Sequence, residues 1–557
     1  MLKFFKSFAF AAAFFLIYGC GSASFIQAQP IQAEPNFPQK VADLTEDELK
    51  NWFHLDPVKD TVPGMSVQRT YDEIIKKRQG QMVIVGVIDS GIDIEHEDLK
   101  NVIWTNPGEI PGNGIDDDGN GYIDDIHGWN FLGDIVGEQM EYVRIMLRLA
   151  PKYENASPDD IKPEDREEYA LYLKAREEYL KEKQEALSIK VQYESIYDII
   201  KPAHEKVSEK LEKENYTIED LGSLENEIAF QREVFFLEQM FSFSDNIPQV
   251  IKELGDGIKY FSSRLNYHFN VNEDFRAILG DDPYDITDVP IGNNQVSGPD
   301  PKKEDAKHGT HVSGIIAGQR NNGIGMNGVA QNVQIMAIRA VPDGDEYDKD
   351  VALAIRYAVD NGAKVINTSF GKMYSTNPEW VYDAIKYASD NDVLIVNAAG
   401  NDGFNLDDPN LTVFPNDQRI ENPSLSNSFL TVGALNYVYG EEMIASFSNY
   451  GKQQVDVFAP GVQIWSTTPN NEYEFQMGTS MAAPAVAGVA AMLRSYYPQL
   501  TAAQVKQIIM DSGIPSSTLV ILGGEADNKK PFSEISKSGK MVNMYNAFIM
   551  AEQLTKN

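Results

Sequence analysis

The chain has 557 residues and a hydrophobic content of 42%, which excludes a disordered protein and predicts one large domain with an appendage. Its 83 acidic residues outnumber the 48 basic ones and give a formal net charge of -35, which argues against nucleic acid as a partner because the phosphates would be repelled. Cys20 is the only cysteine, so no intrachain disulfide can form.

The first twenty residues have the features of an export signal. A basic start precedes an apolar run over residues 8–18 that is too short to span a membrane. The run ends at Gly19-Cys20, which resembles the lipobox of bacterial lipoproteins, where the cysteine becomes the lipidated N-terminus. The resemblance predicts an exported lipoprotein, periplasmic or at the cell surface, with a membrane anchor on Cys20; the alternative is plain secretion. We assign residues 1–20 to the signal peptide and 21–65 to a tether and lead-in.

A regular alternation of strands and helices begins at residue 82. The run MVIVGVID (82–89) is continuously apolar and β-branched, as is typical of a parallel strand buried on both faces. Similar runs recur at 333–341, 363–370, 392–400 and 428–435, and helical stretches occupy 349–362 and 378–391. This order predicts an α/β fold with a doubly wound, mostly parallel sheet and ligands at the carboxyl ends of its strands.

A mainly helical block at 135–297 interrupts this alternation and divides the predicted α/β domain into 66–134 and 298–550. It contains few strand signals and one long charged segment whose apolar residues recur at intervals of seven. These are Tyr172, Tyr179, Ala186, Tyr193 and Ile200, with Leu173, Leu180 and Leu187 alongside. The repeat predicts an inserted α-helical subdomain with one apolar stripe. Two interpretations remain open: a helical hairpin packed on itself or on the core, and an arm that binds a partner or gates the substrate.

Four polar residues stand at glycine-lined ends of predicted elements. Asp89 ends the first strand, His308 opens a helix of small residues, Asn401 follows a strand and Ser480 begins an alanine-rich helix. Taken singly, each has a structural explanation such as a helix cap or a buried histidine. Together they are the groups that acyl transfer requires: a serine nucleophile needs an imidazole to take its proton, and the imidazole needs a carboxylate. The N–H of Ser480 and the amide of Asn401 would stabilise the oxyanion.

The motifs around these residues are DSG at Asp89, HGTHVSG at His308, AAGN ending at Asn401 and GTSMAAP around Ser480. In this order they resemble the subtilisin-like serine peptidases, the subtilases. The resemblance covers both parts of the predicted catalytic domain. It implies a serine endopeptidase for protein or peptide substrates, with a triad of aspartate, histidine and serine and an asparagine as oxyanion donor. The alternative function is a surface binding or scaffold protein that uses the helical insertion and whose catalytic core has a narrow processing role.

The resemblance also implies a substrate site. Subtilases pair the substrate backbone, as an added strand, with a segment that looks like 369–371 and with a loop that resembles 343–345. Small residues would leave room in the main pocket for a large apolar side chain. The acidic residues Asp343, Asp345 and Glu346 either favour basic residues upstream in the substrate or lie in a solvated loop. The residues assigned to substrate binding are Ser369, Phe370, Gly371, Gly344, Ala398, Ala399 and Gly400.

The segment GIDDDGNGYIDD predicts a calcium loop. Its oxygen-bearing side chains stand at positions 1, 3, 5 and 9, as in an EF-hand loop, and a glycine occupies position 6. The predicted ligands are Asp116, Asp118, Asn120 and Asp124. Because the closing glutamate at position 12 is absent, Asp125 or water would have to complete the shell. The alternative is an acidic turn that binds no metal.

A second calcium site follows from the resemblance alone. Subtilases often bind calcium through an aspartate nine residues after the catalytic one and through a loop after the histidine's helix. These positions look like Asp98 and Asn322. Since no disulfide is possible, calcium bound only by the folded state would stabilise it instead. We therefore expect Ca²⁺ as a structural cofactor.

Overall fold

In the computed structural model, which describes residues 28–32, 40, 42–418 and 425–556, a nine-stranded sheet crosses the molecule. The strands of the described residues are, in chain order, β1 (Val83–Asp89), β2 (Gly128–Asn130), β3 (Val333–Arg339), β4 (Val365–Thr368), β5 (Leu394–Ala398), β6 (Phe429–Leu435), β7 (Val457–Pro460), β8 (Ile464–Thr468), β9 (Glu472–Gln476), β10 (Ile514–Pro515), β11 (Leu519–Leu522), β12 (Glu525–Pro531) and β13 (Lys540–Met541). The large sheet has the order β10-β13-β7-β6-β5-β4-β1-β3-β2, and all its neighbours are parallel except β10 and β13. The other strands form the hairpins β8-β9 and β11-β12.

Helices cover both faces of this sheet. The α-helices of the described residues are α1 (Glu46–Asn51), α2 (Val67–Thr70), α3 (Glu141–Tyr153), α4 (Arg166–Leu211), α5 (Ile218–Gly222), α6 (Gln231–Phe241), α7 (Ile247–Asn266), α8 (Lys307–Ala317), α9 (Asp348–Asp360), α10 (Pro378–Asp390), α11 (Thr479–Tyr496), α12 (Ala502–Ser512) and α13 (Met544–Thr555). Along β1, Val83, Val85 and Val87 pack into the apolar layer of α8 and α11. Ile84 and Ile88 pack into the opposite layer, with α9 and α10. This two-sided burial confirms the predicted doubly wound α/β fold.

A helical insertion of α3 to α7 lies between β2 and β3, and α4 runs through it for 46 residues. Tyr172, Tyr179 and Ala186 of α4 are buried against α3 and the end of α7, and a second apolar cluster around Ile200 fills the far end. Tyr193 packs edge-on against a phenylalanine ring of α7. The predicted single stripe is wrong for Leu173, Leu180 and Leu187, which are 42%, 52% and 45% exposed. Each leucine follows its stripe residue by one position and therefore points about 100° away around the helix.

Buried charges join the insertion to the catalytic part of the molecule. Arg144 of α3 pairs with Glu141 and donates to the carbonyl oxygens of Asp345 (2.7 Å) and Glu346 (3.2 Å). Lys372 of the catalytic part lies 3.4 Å from Glu141 and donates to the Glu346 carbonyl oxygen at 2.6 Å. Burial opposes ionisation of Glu141, but Lys372 and Arg144 hold its pKa at about 2. Each side also has an ion pair of its own, Arg144 with Glu141 and Lys372 with Asp348 at 3.0 Å, and the bonds of Arg144 to the carbonyl oxygens of the loop join the two sides.

An N-terminal strap, residues 42–75, packs against the catalytic part. Trp52 and Phe53 are buried in the main core, and the Trp52 indole donates to the Val462 carbonyl oxygen at 3.0 Å. At its end the Ser66 hydroxyl accepts a hydrogen bond from the Asn543 amide at 2.7 Å, just before α13. The predicted signal peptide and Cys20 lie outside the described residues. Within the described part of the chain, none of the helices has the length and apolar character that crossing a bilayer requires.

Candidate active site

Asp89 is the last residue of β1, and its carboxylate is buried beside α8. Its Oδ1 is hydrogen bonded to His308 Nδ1 at 2.7 Å and accepts from the Ser90 N–H at 2.8 Å. This approach of α8 needs Gly309, because a Cβ atom there would clash with the Gly91 carbonyl oxygen. With Nδ1 of His308 bound to the carboxylate, Nε2 is the nitrogen that can accept a proton from another group.

The two histidines of α8 differ in proton affinity. Burial disfavours a charged His308, but the Asp89 carboxylate and its hydrogen bond outweigh this effect, so the pKa of His308 lies above its ordinary value of 6.5. Burial lowers the pKa of His311 to about 3, and the His311 side chain is fully enclosed. His308 remains 37% exposed, so a substrate can reach it. Of the two, His308 therefore suits proton transfer.

Ser480 lies in the first turn of α11, where its hydroxyl is held against the end of β4. The Ser480 hydroxyl donates to the Ser369 carbonyl oxygen at 3.1 Å, and the Ser369 hydroxyl donates to the Ser480 carbonyl oxygen at 3.0 Å. A hydroxyl can turn its proton to another acceptor, and catalytic hydrogen bonds often tighten only with substrate bound. This pair of serines fixes the start of α11 relative to the strand.

Two N–H donors face an empty space beside Ser480. The Asn401 side-chain oxygen accepts from the backbone N–H of Thr479 and from its hydroxyl, both at 2.9 Å, which turns the amide nitrogen the other way. A Cβ atom on Gly478 would lie 3.4 Å from Asn401 Nδ2 and 3.5 Å from the backbone nitrogen of Ser480. The missing side chain of Gly478 thus keeps open a space that both donors can reach. Two N–H donors placed around such a space can stabilise an oxyanion.

A cavity of about 590 Å³ opens beside Ser480 and Asn401. Its walls include five of the residues predicted to bind substrate: Gly344, Phe370, Gly371, Ala398 and Gly400. Ser369 contacts Ser480 instead, and Ala399 lines an adjoining cavity of about 380 Å³. Most of the residues predicted to bind substrate therefore lie around one opening next to Ser480.

The insertion supplies the wall that the sequence did not reveal. Tyr142 of α3, Glu182 of α4 and Arg264 of α7 line the cavity of Ser480, and Arg264 donates to Glu182 at 3.3 Å. A further cavity of about 1350 Å³ next to His308 is lined by one face of α7: Lys252, Asp256, Lys259, Tyr260 and Ser263. The sequence period of a helix predicts that one face is covered, but not by which part of the chain.

The acidic loop after β1 groups its carboxylates differently from the predicted calcium loop. Carboxylate oxygens of Glu109, Asp118 and Asp125 lie within 4.8 Å of one another. Asp116 instead accepts from backbone N–H groups of its own turn, at 2.7 to 3.1 Å. Asp124 accepts from the N–H groups of Gly112, Asn113 and Gly114, ten to twelve residues earlier, at 2.7 to 3.3 Å. The Asn120 amide nitrogen donates to Asp118 and Asp125 at 3.2 and 3.1 Å. An all-oxygen group of three carboxylates fits Ca²⁺.

The second predicted calcium position brings Asp98 and Asn322 together. The Asp98 carboxylate is fully buried and accepts from Asn322 Nδ2 at 2.5 Å and from the Met326 N–H at 3.0 Å. Burial raises the pKa of Asp98 above its ordinary value. The oxygen of Asn322 accepts from the Ile324 N–H at 3.1 Å, so the amide nitrogen faces the carboxylate.

Asp345 and Glu346 do not form a solvated loop. Both side chains are buried, and the Asp345 carboxylate accepts from the Glu141 N–H at 2.7 Å. Asp343 is hydrogen bonded to His268 at 2.8 Å and to the hydroxyl of Ser263, both from the insertion. These acids therefore hold the insertion in place, which neither sequence-based interpretation anticipated.

Known proteins match the chain across this site. The model of the Subtilase family, peptidase S8, matches residues 80–530, which contain all four candidate catalytic residues. A thermophilic serine proteinase of Bacillus sp. strain AK1 is 43% identical over 34% of this chain and 42% of its own. A cell wall-associated protease of Bacillus subtilis strain 168 is 37% identical over 42% of this chain and 24% of its own. Subtilisin DY of Bacillus licheniformis is 35% identical over 42% of this chain and 80% of its own. The chain thus spans less than half the length of the first two relatives. Because the family model covers most of the chain, the protein belongs to the subtilase family.

Proposed function

We propose that this protein is a serine endopeptidase that hydrolyses peptide bonds through an acyl-enzyme on Ser480. The observation that carries this proposal is the opening beside Ser480, which two N–H donors face and a cavity adjoins. The hydrogen-bonded pair of Asp89 and His308 supplies the base. The relatives named above are a serine proteinase and a cell wall-associated protease, and we extend that activity to this chain.

The geometry supports the following sequence of steps. Ser480 Oγ attacks the carbonyl carbon of the substrate while its proton passes to His308 Nε2, and Asp89 stabilises the imidazolium. The oxyanion accepts from Asn401 Nδ2 and the Ser480 N–H. When the intermediate collapses, the C–N bond breaks and His308 returns the proton to the leaving amine. Water then attacks the ester with His308 as base, which releases the acid and restores Ser480.

A fluorophosphonate probe tests this proposal, because it reacts only with an activated serine. We expect one label per folded wild-type chain, on Ser480, and none on Ser480→Ala or on heat-denatured wild type. Casein cleavage should fall in Ser480→Ala by about 10⁶-fold, the order found when a subtilisin loses its nucleophile. The variant should melt nearly like the wild type, because the hydroxyl makes a single, part-buried hydrogen bond of 3.1 Å. Unlabelled folded wild type, or cleavage that persists in the variant, would exclude the proposal.

We infer that Ca²⁺ is a structural cofactor and that Glu109, Asp118 and Asp125 hold it, with Asp98 and Asn322 as a second site. The first assignment rests on the close grouping of three carboxylates, two of them buried. Asp116 and Asp124 would shape the loop through its backbone N–H groups. The metal would stabilise the loop that leads from β1 to β2, ahead of the insertion.

We also propose that the protein is exported and that residues 1–20 are a lipoprotein signal with the anchor on Cys20. Two observations support this: the sequence of residues 1–20, and the similarity to a cell wall-associated protease. Cys20→Ser tests the anchor. We expect the wild type to sediment with membranes and to incorporate labelled fatty acid, and the variant to lose both. An unlabelled wild type in the soluble fraction would favour plain secretion.

A further inference from the structure

The position of Asn401 beside Ser480 depends on the turn that carries it, residues 399–404. The Asn401 side chain is exposed, and within the described part of the chain its hydrogen bonds are the two that its oxygen accepts from Thr479. An amide stabilises an oxyanion well only if its nitrogen is held in place before the reaction begins. The contacts that hold this turn therefore bear on the chemistry.

One buried side chain, that of Asn449, holds the turn from the protein interior. Asn449 is fully buried. Its side-chain oxygen accepts from the N–H groups of Asp402 at 3.1 Å and Phe404 at 2.8 Å. Its amide nitrogen donates to the Ala399 carbonyl oxygen at 2.9 Å and to the Asp402 carboxylate at 3.3 Å. These hydrogen bonds reach the chain on both sides of Asn401.

Gly400 brings the turn into direct contact with this amide. The Gly400 carbonyl oxygen accepts from the Asn449 N–H at 3.0 Å, and a Cβ atom on Gly400 would clash with Asn449 Nδ2. From the other side, the Gly400 N–H donates to the Thr479 hydroxyl at 3.1 Å. Loss of the Asn449 amide would leave two N–H groups of the turn without their acceptor and open a space beneath Gly400. The turn, and Asn401 with it, could then shift.

We propose that Asn449 is a positioning residue for the oxyanion donor Asn401 and so controls the rate of the reaction without touching the substrate. The proposal rests on the peptidase function proposed above. Asn449 does not line the cavity beside Ser480, so it acts through the turn and not through substrate binding. Because the oxyanion forms only during the reaction, a misplaced Asn401 lowers kcat and leaves KM nearly unchanged.

A double-mutant cycle tests this on the intact protein, with a peptide anilide that has a large apolar residue before the cleaved bond. Asn401→Ala should lower kcat by about 10²- to 10³-fold, the range found when a subtilisin loses its oxyanion asparagine. Asn449→Ala should lower kcat by about 10- to 100-fold, because a displacement of about 1 Å can cost 10²-fold. In the Asn401→Ala background, Asn449→Ala should cost less than about twofold, because the donor that it positions is already gone.

Asn543→Ala is the matched control. Asn543 is also buried, donates to the Ser66 hydroxyl at 2.7 Å and accepts from the Asn546 N–H at 3.0 Å, so its loss should lower the Tm and leave kcat unchanged. Asn449→Asp keeps the accepting oxygen and loses only the donor. It replaces Asn449→Ala if that variant does not fold, and its effect on kcat should likewise disappear in the Asn401→Ala background.

Equal losses of kcat in the two backgrounds, a change confined to KM, or an unchanged kcat in folded Asn449→Ala would overturn the positioning role. Failure of both Asn449 variants to fold would also overturn it, because Asn449 would then be needed for folding. None of these results affects the peptidase proposal, on which cleavage and fluorophosphonate labelling of the wild type report separately. If the wild type neither cleaves the peptide nor is labelled, the proposed function fails, and the positioning role fails with it.

Discussion

At the scale of single residues, His308 connects the burial of Asp89 to the chemistry at Ser480. A base for the serine must be neutral at the working pH and still stable as a cation during the reaction. The Asp89 carboxylate meets the second need because it is enclosed at the end of β1 and bonded to the imidazole at 2.7 Å. The same contact raises the pKa of His308, so in the proposed mechanism it would also set the acid limit of activity.

The first prediction is a pH profile. Since only neutral His308 can accept the serine proton, kcat/KM should rise with pH through a midpoint above 6.5 and then level off. In Asp89→Asn the burial effect remains without the carboxylate, so the midpoint should move to lower pH and the plateau should fall by about 10⁴-fold. Asp134→Asn, at an exposed position lining the cavity next to His308, is the control and should keep the wild-type profile. An unshifted midpoint in Asp89→Asn would contradict the assignment.

The candidate catalytic residues were easier to predict from the sequence than the residues around them. Asp89, His308, Asn401 and Ser480 sit in short motifs whose glycines are needed locally, so the sequence marks them. Asp89 and His308 are 219 positions apart, and their contact follows from the resemblance rather than from spacing. Glu109, which groups with two predicted acids, stands outside the calcium pattern and has no signal of its own.

At the scale of elements, the insertion has two ends with different roles. The near end contains Glu141 and Arg144, which share the buried charge cluster with the catalytic part. The far end has its own apolar cluster around Ile200 and does not line either cavity at the catalytic residues. Between them, Tyr193 and Tyr197 of α4 lie against glycines of α7. This contact is where the two helices can be joined by a short turn.

The second prediction compares two deletions. Replacing 199–251 by a short turn removes the far cluster and keeps Lys252 at the cavity next to His308, so the protein should fold and keep its kcat/KM on small peptides. Deleting 140–265 leaves Lys372 paired with Asp348 at 3.0 Å, but it removes Arg144 and the Glu141 N–H from the buried Asp345, which should cost about 3–5 kcal/mol and prevent stable folding. Thermal melts and limited proteolysis measure both. A well-folded product of the longer deletion would show that the cluster is dispensable.

Secondary structure was predictable where the pattern is long and failed where it is short. The runs predicted at 82–89 and 428–435 match β1 and β6 within one residue at each end. The strands β2, β10 and β13 have only two or three residues and were not predicted. Strands of this length carry no period, and they form because a neighbouring strand supplies the hydrogen bonds. The outward leucines of α4 illustrate the same limit, since a sequence period does not say how wide the covered face is.

At the scale of the whole molecule, a chain with net charge -35 and one cysteine has to be stabilised without disulfides. Neutralising grouped carboxylates with a divalent cation reduces the repulsion that so much negative charge creates. Calcium that binds only the folded state adds about 2.7 kcal/mol when its concentration is 100-fold above Kd. The acidic loop joins β1, which ends at Asp89, to β2, which precedes the insertion.

The third prediction concerns this metal. EDTA should lower the Tm of the wild type, and added Ca²⁺ should restore it. Asp118→Asn should lower the Tm in calcium and reduce the effect of EDTA, because Asp118 belongs to the carboxylate group. In Asp116→Asn, whose carboxylate holds only backbone N–H groups of its turn, the effect of EDTA should persist. A wild-type melt that EDTA leaves unaltered would argue against calcium at either site.

The contact between the strap and the last helix has a consequence for the timing of synthesis. Ser66 is made early, and its partner Asn543 is added almost five hundred residues later. The backbone of Ile31 likewise bonds to the Asn546 side chain at 2.7 Å. Packing of the strap on α13, which also contacts α11, can form only after translation has passed these positions. The helix that carries Ser480 therefore gains its full support only once α13 has been made.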